Sequence, residues 1–140
     1  MYTPPVKWDE TMSTGIASID NQHKLLIEKL NILVEAITNG QGSTKIEATL
    51  NFVQQYATQH FSDEETCMHK YQCPMATSNK YAHNKFIETF DKLKHRFEAE
   101  GPSKSLATTI QHDLIYWFIR HIRQIDVHLN PCIKQWKNNQ

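Results

Sequence analysis

Apolar residues recur at every third or fourth position through four long stretches of this 140-residue chain, which is the period of an amphipathic α-helix. The first stretch, for example, carries Leu26, Leu30, Leu33 and Ile37 at spacings of 4, 3 and 4. Breakers of Gly, Asn and Pro separate the stretches, and none of the stretches alternates with a period of two. The pattern therefore predicts no strands and four helices, at about residues 18–38, 44–71, 76–100 and 103–129.

Four amphipathic helices with short connections predict an all-α fold, an antiparallel up-down four-helix bundle with an extended N-terminal arm. The arm covers residues 1–17 and holds Pro4, Pro5 and Gly15. The length suits a single domain over residues 1–140 with a buried core. The pair Asn130-Pro131 is predicted to end the fourth helix, and the tail after it is long enough for one more helical turn.

Metal-type side chains occupy several positions of the inner helix faces that would otherwise hold leucine. The four histidines concerned each lie on a different helix, and Glu64 lies one turn after His60. A polar or charged side chain at such a position costs free energy unless it is paired or bound to a metal. With Asp126, which follows His121 by five residues, they form a candidate ligand set: His23, His60, Glu64, His83, His121 and Asp126.

The remaining histidines provide an internal control. His69, His95 and His112 fall off the inner faces, and His128 lies at the end of the last predicted helix, so all four are predicted to be surface or end residues. A bundle with hydrogen-bonded core histidines would explain any single inward histidine. It is a weaker explanation for four of them on four helices.

The ligand types narrow the choice of metal. Imidazole together with carboxylate suits iron, zinc, copper or manganese. A structural zinc ion takes four ligands, whereas six candidates fit two metal ions better. Ferritin-like di-iron bundles use a Glu-x-x-His motif, which this sequence does not contain, so that class is disfavoured.

An ordered series of short motifs between Trp8 and Asp126 resembles the hemerythrin family, in its bacterial single-domain form. The motifs are Trp8-Asp9-Glu10, Gly15-Ile16, Asp20-Asn21-Gln22-His23, His60-Phe61 with Glu64-Glu65, Tyr71 with Cys73-Pro74, and Trp117 with His121-Ile122 and Asp126. The resemblance implies a four-helix bundle with a non-haem di-iron centre that binds O₂ reversibly.

The resemblance also implies a role for each residue. By position, His23 and His60 would ligate the iron that binds O₂, and His83 and His121 would ligate the second iron. Glu64 and Asp126 would bridge the two ions. The O₂ pocket would be lined by Leu26, Phe61, Trp117 and Ile122. Plain core packing is an equally good explanation for Trp117 taken alone.

Asn79 is the one departure from the family pattern. The family has a histidine four residues before His83, where this chain has asparagine. A neutral amide oxygen is a weak iron ligand compared with imidazole. Three outcomes follow: weak ligation by Asn79, a water in its place, or poor binding of the second iron with incomplete occupancy.

Two functional hypotheses compete. The leading one is a non-enzymatic di-iron protein that binds O₂ for carriage, storage or sensing, with other small diatomic or anionic molecules as further ligands. The alternative is a di-iron oxidase or peroxidase-like enzyme, which an open iron position beside Asn79 would favour. A metal-free bundle that serves as a partner surface is a third possibility.

Charge and cysteine content exclude several classes of function. Fifteen basic and fifteen acidic residues give no net charge, which argues against nucleic acid and anionic membrane as partners. No apolar run has the length of a signal peptide or a membrane span, so a soluble, cytoplasmic protein is predicted. Three cysteines without CxxC spacing argue against a disulfide framework and a structural zinc site. We expect reduced thiols, with Cys67 at a core-type position and Cys73 in a loop.

Overall fold

Three long helices and a segmented fourth helix make up the bundle. The computed structural model describes residues 5–140, so the first four residues of the predicted arm lie outside the described range. Helix α1 is Ala17–Thr38, α2 is Ser43–Lys70 and α3 is Ala76–Glu100. The described part of the arm contains one 3₁₀ turn, Glu10–Met12. No strand occurs within residues 5–140, and the predicted all-α four-helix bundle is confirmed.

The fourth helix, α4, consists of three consecutive segments. It is α-helical over Lys104–Ile110, π-helical over Gln111–Tyr116 and α-helical again over Trp117–Gln124. A π-helical turn holds more residues than an α-helical turn, so it rotates the residues that follow it around the helix axis.

A break at Ile125 ends α4 earlier than the sequence pattern predicts. Ile125 has φ −120° and ψ −58°, and a 3₁₀ turn, Asp126–His128, follows it. Helix α5, Leu129–Asn138, then continues to the end of the chain. The predicted stop at Asn130-Pro131 is wrong, because Pro131 lies in the first turn of α5, where a helix needs no backbone N–H from that residue.

Two hydrophobic clusters hold the helices together. The main core runs along the bundle axis between α1, α2, α3 and α4, and its largest buried side chains include Phe86, Phe90 and Phe118. A smaller end cluster forms where the loop between α2 and α3 meets α5. Its buried members are Ile19, Met68, Cys73 and Leu129. On α2, Glu64 lies between Phe61, which belongs to the main core, and Met68, which belongs to the end cluster.

A disulfide between Cys73 and Cys132 closes the end cluster, which corrects the expectation of three reduced thiols. Cys73 does lie in a loop, and Cys132 lies on α5, 59 residues further along the chain. The odd cysteine count concealed this pair, because the third cysteine, Cys67, is free and half-buried. The disulfide therefore ties α5 to the loop between α2 and α3.

The four histidines outside the candidate ligand set lie on the surface. His69, His95, His112 and His128 are all exposed, as predicted. Within residues 5–140, none of the helices combines the length and the apolar character that crossing a membrane requires.

Candidate metal centre

Six metal-type side chains from four helices and one 3₁₀ turn converge in the interior of the bundle. Helix α1 supplies His23, α2 supplies His60 and Glu64, and α3 supplies His83. Helix α4 supplies His121, and the 3₁₀ turn after it supplies Asp126. All six are buried, and Glu64 and Asp126 are 0% exposed. Every residue of the predicted ligand set is thus brought to one place.

The six residues form two overlapping donor groups. We call His23, His60, Glu64 and Asp126 the first donor group, and Glu64, His83, His121 and Asp126 the second donor group. Within each group, one donor atom per residue lies within 4.8 Å of all the others. Both carboxylates belong to both groups, so each group offers two imidazoles and two shared carboxylates.

Short distances join the imidazoles to the shared carboxylates. In the first donor group, His23 Nε2 lies 3.1 Å from Glu64 Oε2 and 3.1 Å from Asp126 Oδ2. His60 Nε2 lies 3.4 Å from Glu64 Oε2. In the second donor group, His83 Nε2 lies 3.4 Å from Glu64 Oε1, and His121 Nε2 lies 3.2 Å from Asp126 Oδ1. The two oxygens of each carboxylate therefore face different groups.

Several of these buried atoms lack a hydrogen bond despite their proximity. Among the described residues, Nε2 of His60, His83 and His121 and both carboxylate oxygens of Asp126 have no hydrogen-bond partner. Leaving so many polar atoms buried and unbonded is costly. Nitrogen and oxygen atoms that converge without hydrogen-bond alignment are arranged as ligands of a common ion, so the donor set fits two metal ions.

The electrostatics of the centre depend on the two carboxylates. Burial opposes a charge on His23, but the nearby carboxylates of Asp126 and Glu64 outweigh burial and raise its pKa to about 9. Burial favours the neutral form of Glu64, yet the neighbouring Asp126 side chain and the surrounding imidazoles hold its pKa well below the usual value. Burial lowers the pKa of His60, so this imidazole is neutral near pH 7. A buried anion is thus already present where cations would bind.

Polar side chains outside the centre hold two of the imidazoles by their other nitrogen. His60 Nδ1 lies 2.8 Å from Gln22 Oε1, and Gln22 Nε2 donates to Asp63 Oδ2 at 3.0 Å. His83 Nδ1 lies 2.9 Å from Glu65 Oε2. Each acceptor keeps the hydrogen on Nδ1, which leaves Nε2 free to ligate. A neutral amide supports His60, whereas a carboxylate supports His83.

Aromatic rings surround the imidazoles of both donor groups. Phe61 stacks on His83 with centroids 3.9 Å apart, and Trp117 stacks on His121 at 5.0 Å. Trp117 therefore packs on the second donor group, whereas Phe61 contacts both groups, since its ring also lies 5.7 Å from that of His60. The other two, Leu26 and Ile122, are 0% exposed and belong to the main core.

Phe118 is a residue that the sequence pattern missed. Its ring meets His23 edge to face at 5.5 Å and His60 at 6.3 Å. Phe118 is 0% exposed, whereas Trp117 is half-buried. The family resemblance pointed to Trp117 as a pocket residue, whereas the ring beside His23 and His60 belongs to the next residue, Phe118.

Asn79 lies at the edge of the second donor group, one helical turn before His83. Its side chain is 0% exposed. The amide Nδ2 donates to Glu64 Oε1 at 2.8 Å and to Met68 Sδ at 3.2 Å. Asn79 therefore contacts the centre through a hydrogen-bond donor.

Comparisons with known proteins agree with this arrangement. The sequence profile of the Hemerythrin HHE cation binding domain matches residues 14–133. The bacteriohemerythrin of Stenotrophomonas maltophilia is 32% identical over 137 residues, which cover 91% of this chain and 86% of that protein. The bacteriohemerythrin of Pseudomonas paraeruginosa is 30% identical over 119 residues, 85% of this chain and 75% of that protein.

A crystal structure of wild-type hemerythrin has a similar fold. It superposes with a TM-score of 0.75 over 91% of this chain and 97% of its own length, at 24% sequence identity. The profile match covers most of the chain, and the buried His, Glu and Asp groups are of the type that a di-iron centre needs. This chain belongs to the hemerythrin family, whose members bind O₂ at a non-haem di-iron centre and are not enzymes.

Proposed function

We propose that this chain binds O₂ reversibly at its di-iron centre and serves in O₂ carriage or storage. The proposed ligands are the six members of the two donor groups, namely His23, His60, Glu64, His83, His121 and Asp126. The observation that carries the proposal is the sharing of both buried carboxylates between two pairs of imidazoles. An arrangement for a single ion would not need two groups with common anions.

The iron ions supply the redox chemistry when bound, since two ferrous ions provide two electrons and a coordination position for O₂. The chain supplies the surroundings. Glu64 and Asp126 belong to both donor groups, so their carboxylates would hold both ions and would offset part of the repulsion between the two cations. Gln22 and Glu65 hold His60 and His83 with Nε2 directed inward. Four helices therefore fix the ligands before any ion binds.

We propose that O₂ binds at the first donor group, as the family resemblance implies, and that Phe118 forms its apolar wall. The Phe118 ring lies edge-on to both His23 and His60. A hydrophobic surface around a metal site limits the access of water and protons. Keeping water out is what allows bound O₂ to leave as O₂. Other small diatomic or anionic ligands would compete for the same position.

Carriage or storage is favoured over sensing by the way the ligands are mounted. His23, His60, Glu64 and His83 lie within long helices that pack into one core. Close-packed helices with fixed side chains have little backbone to move when a small ligand binds. A sensor must transmit a change to a surface. We therefore expect O₂ to leave the hydrogen exchange of backbone amides outside the centre unchanged.

The proposal is tested by loading the metal-free protein with ferrous iron under anaerobic conditions and counting iron per chain. The loaded protein is then cycled between O₂ and argon while its visible spectrum is recorded. Two irons per chain and a spectral change that reverses over several cycles are expected. His69→Ala, at an exposed histidine, should behave like the unaltered protein, whereas His60→Ala should lose the reversible change.

Two results would count against the proposal. Fewer than two irons per chain would remove the di-iron centre. A spectral change that does not reverse under argon, with two irons bound, would support the oxidase or peroxidase-like alternative instead. An O₂-dependent change in hydrogen exchange far from the centre would favour sensing over carriage.

A further inference from the structure

The orientation of the Asn79 side chain is fixed by the chemistry of its two contacts. An ionised carboxylate and a thioether sulfur carry no hydrogen, so both can only accept. Glu64 Oε1 and Met68 Sδ must therefore face the amino group of Asn79, as they do at 2.8 Å and 3.2 Å. The reversed amide would place one oxygen against another.

This orientation directs the carbonyl oxygen of Asn79 to a different place. Asn79 is 0% exposed, and its Oδ1 has no hydrogen-bond partner among the described residues. A buried amide carbonyl without a donor is costly. It is satisfied by a molecule that carries an O–H or N–H group.

The ligand count of the second donor group leaves room for such a molecule. This group has two imidazoles and two carboxylates, the same set as the first group. Asn79 meets this group through its amino group, which has no lone pair available to ligate a metal ion. Non-haem iron sites with two histidines and carboxylate ligation keep positions for molecules from solution. The protein thus leaves coordination positions on both irons, and not only on the O₂ side.

A polar cleft of about 450 Å³ lies between α2 and α3 on the protein surface, and the buried Asn79 is not part of its lining. Its lining consists of Glu65, Thr66, His69, Ala76, Thr77 and Lys80. Glu65 follows Glu64, and Lys80 follows Asn79. Hydroxyl and charged groups of this kind suit a small polar ligand, in contrast with the Phe118 ring next to the first donor group.

We propose that the second donor group holds a small protic ligand, water or hydroxide, which donates a hydrogen bond to Asn79 Oδ1 and exchanges with solvent. This inference rests on the proposed di-iron function and assigns a second ligand position to the same centre. Asn79 is a positioning residue in it: the amino group restrains Glu64, and the carbonyl group orients the exchangeable ligand. Of the three outcomes that the sequence left open, this selects a water in place of the missing histidine.

The test counts exchangeable oxygen ligands. The half-reduced, mixed-valent protein is prepared in H₂¹⁷O, and ¹⁷O couplings to the iron centre are measured by electron–nuclear double resonance. The unaltered protein should show one more exchangeable oxygen ligand than Asn79→His, in which an imidazole takes the position. Iron content is measured on the same samples, so a failure of the di-iron proposal is recognised separately by fewer than two irons per chain in both proteins.

Asn79→Ala provides a second variant that adds no bulk to the buried site. It should keep the extra oxygen ligand but exchange it about tenfold faster, the effect expected from losing one hydrogen bond. His95→Ala, at an exposed histidine outside this cleft, should match the unaltered protein. Equal numbers of oxygen ligands in the unaltered protein and Asn79→His, both with two irons, would overturn the inference. So would one iron in the unaltered protein and two in Asn79→His.

Discussion

The two donor groups contain the same kinds of ligand but lie in different surroundings. The first group meets the edge of Phe118, and its His60 is supported by the neutral amide of Gln22. The second group is flanked by the Asn79 amide, and its His83 is supported by the carboxylate of Glu65. In the second group, the ring of His83 also stacks on Phe61 and the ring of His121 stacks on Trp117.

This difference indicates how two donor groups with the same ligands can differ in the molecules that they bind. The shared carboxylates set where the ions lie, and the surrounding side chains set what else can approach each ion. An apolar wall favours a nonpolar ligand such as O₂, and a buried amide carbonyl favours a ligand with a hydrogen to donate. Substitutions that alter the surroundings of one donor group at a time test whether those surroundings cause the difference.

The largest effect is expected when a shared carboxylate is removed. Glu64→Ala should lower the affinity of both donor groups for iron by more than about 100-fold, because even residues outside the ligand set contribute 10–100-fold. His83→Ala should weaken only the second group. Iron per chain, measured after dialysis against a chelator, distinguishes the two. If Glu64→Ala keeps one tightly bound iron, Glu64 is not a ligand of both ions.

Removing the apolar wall should affect the first donor group. Phe118→Ala is expected to cost about 3–5 kcal/mol of unfolding free energy and to shorten the lifetime of the O₂ complex. Phe90→Ala is a matched control, since Phe90 is also 0% exposed in the main core. It should lose similar stability while the O₂ complex keeps its lifetime. Equal lifetimes in the two variants would remove Phe118 from the O₂ pocket.

The disulfide should support both donor groups equally. Cys132→Ser opens the link between α5 and the loop after α2, and its expected cost is about 2–4 kcal/mol of unfolding free energy. Only Leu129 of α5 is buried, so little else holds the segment that follows Asp126. Iron release to a chelator should accelerate for both ions. Cys67→Ser, at the free thiol, is the control and should change stability by less than about 1 kcal/mol.

A smaller effect is expected from the outer partners of the imidazoles. Glu65→Gln should weaken iron binding in the second donor group by about 10–100-fold, because His83 loses its anionic support. Gln22→Glu combined with Asp63→Asn makes the reverse change beside His60 without opposing two carboxylates, and it should strengthen the first group. Competition with a chelator of known affinity measures both. If neither variant changes the iron affinity relative to the unaltered protein, the difference between the two donor groups does not originate in these partners.

The smallest effect is a proton linkage at His23. Its pKa in the folded, metal-free protein is about 9, above the usual 6.5. Protonation of His23 therefore stabilises the metal-free fold fully below pH 6.5, and this contribution disappears as the pH rises through about 9. A metal needs neutral imidazole, so iron uptake at pH 7 should release this proton.

Calorimetry in buffers of different ionisation enthalpy measures the proton release. At least one proton per chain is expected at pH 7, and iron affinity should rise with pH until about pH 9. His60 should contribute none, since burial lowers its pKa. No proton release at pH 7 would contradict the raised pKa of His23.

Helical periodicity was sufficient to predict the inward positions of the ligands. A spacing of three and four residues places His60, Glu64 and His83 on the buried faces of α2 and α3, and the structure buries them there. The same spacing placed His69 and His112 outward, where they are exposed. Such positions can be predicted because they depend only on the repeat of a regular helix.

Features that depend on irregular backbone or on distant pairs could not be predicted. The π-helical segment has no simple sequence pattern, and the contact of Phe118 with His23 and His60 was not predicted. The break at Ile125 was missed because Pro131 is compatible both with ending a helix and with beginning one. The pairing of Cys73 with Cys132 depends on how α5 folds back after that break.

The central claim is that two ions share Glu64 and Asp126, and anomalous diffraction tests it most directly. Crystals of the iron-loaded protein are measured on both sides of the iron absorption edge. The account predicts two iron peaks per chain, one bordered by His23 and His60 and the other by His83 and His121, with Glu64 and Asp126 next to both. A single peak, or a second peak away from these carboxylates, would contradict it.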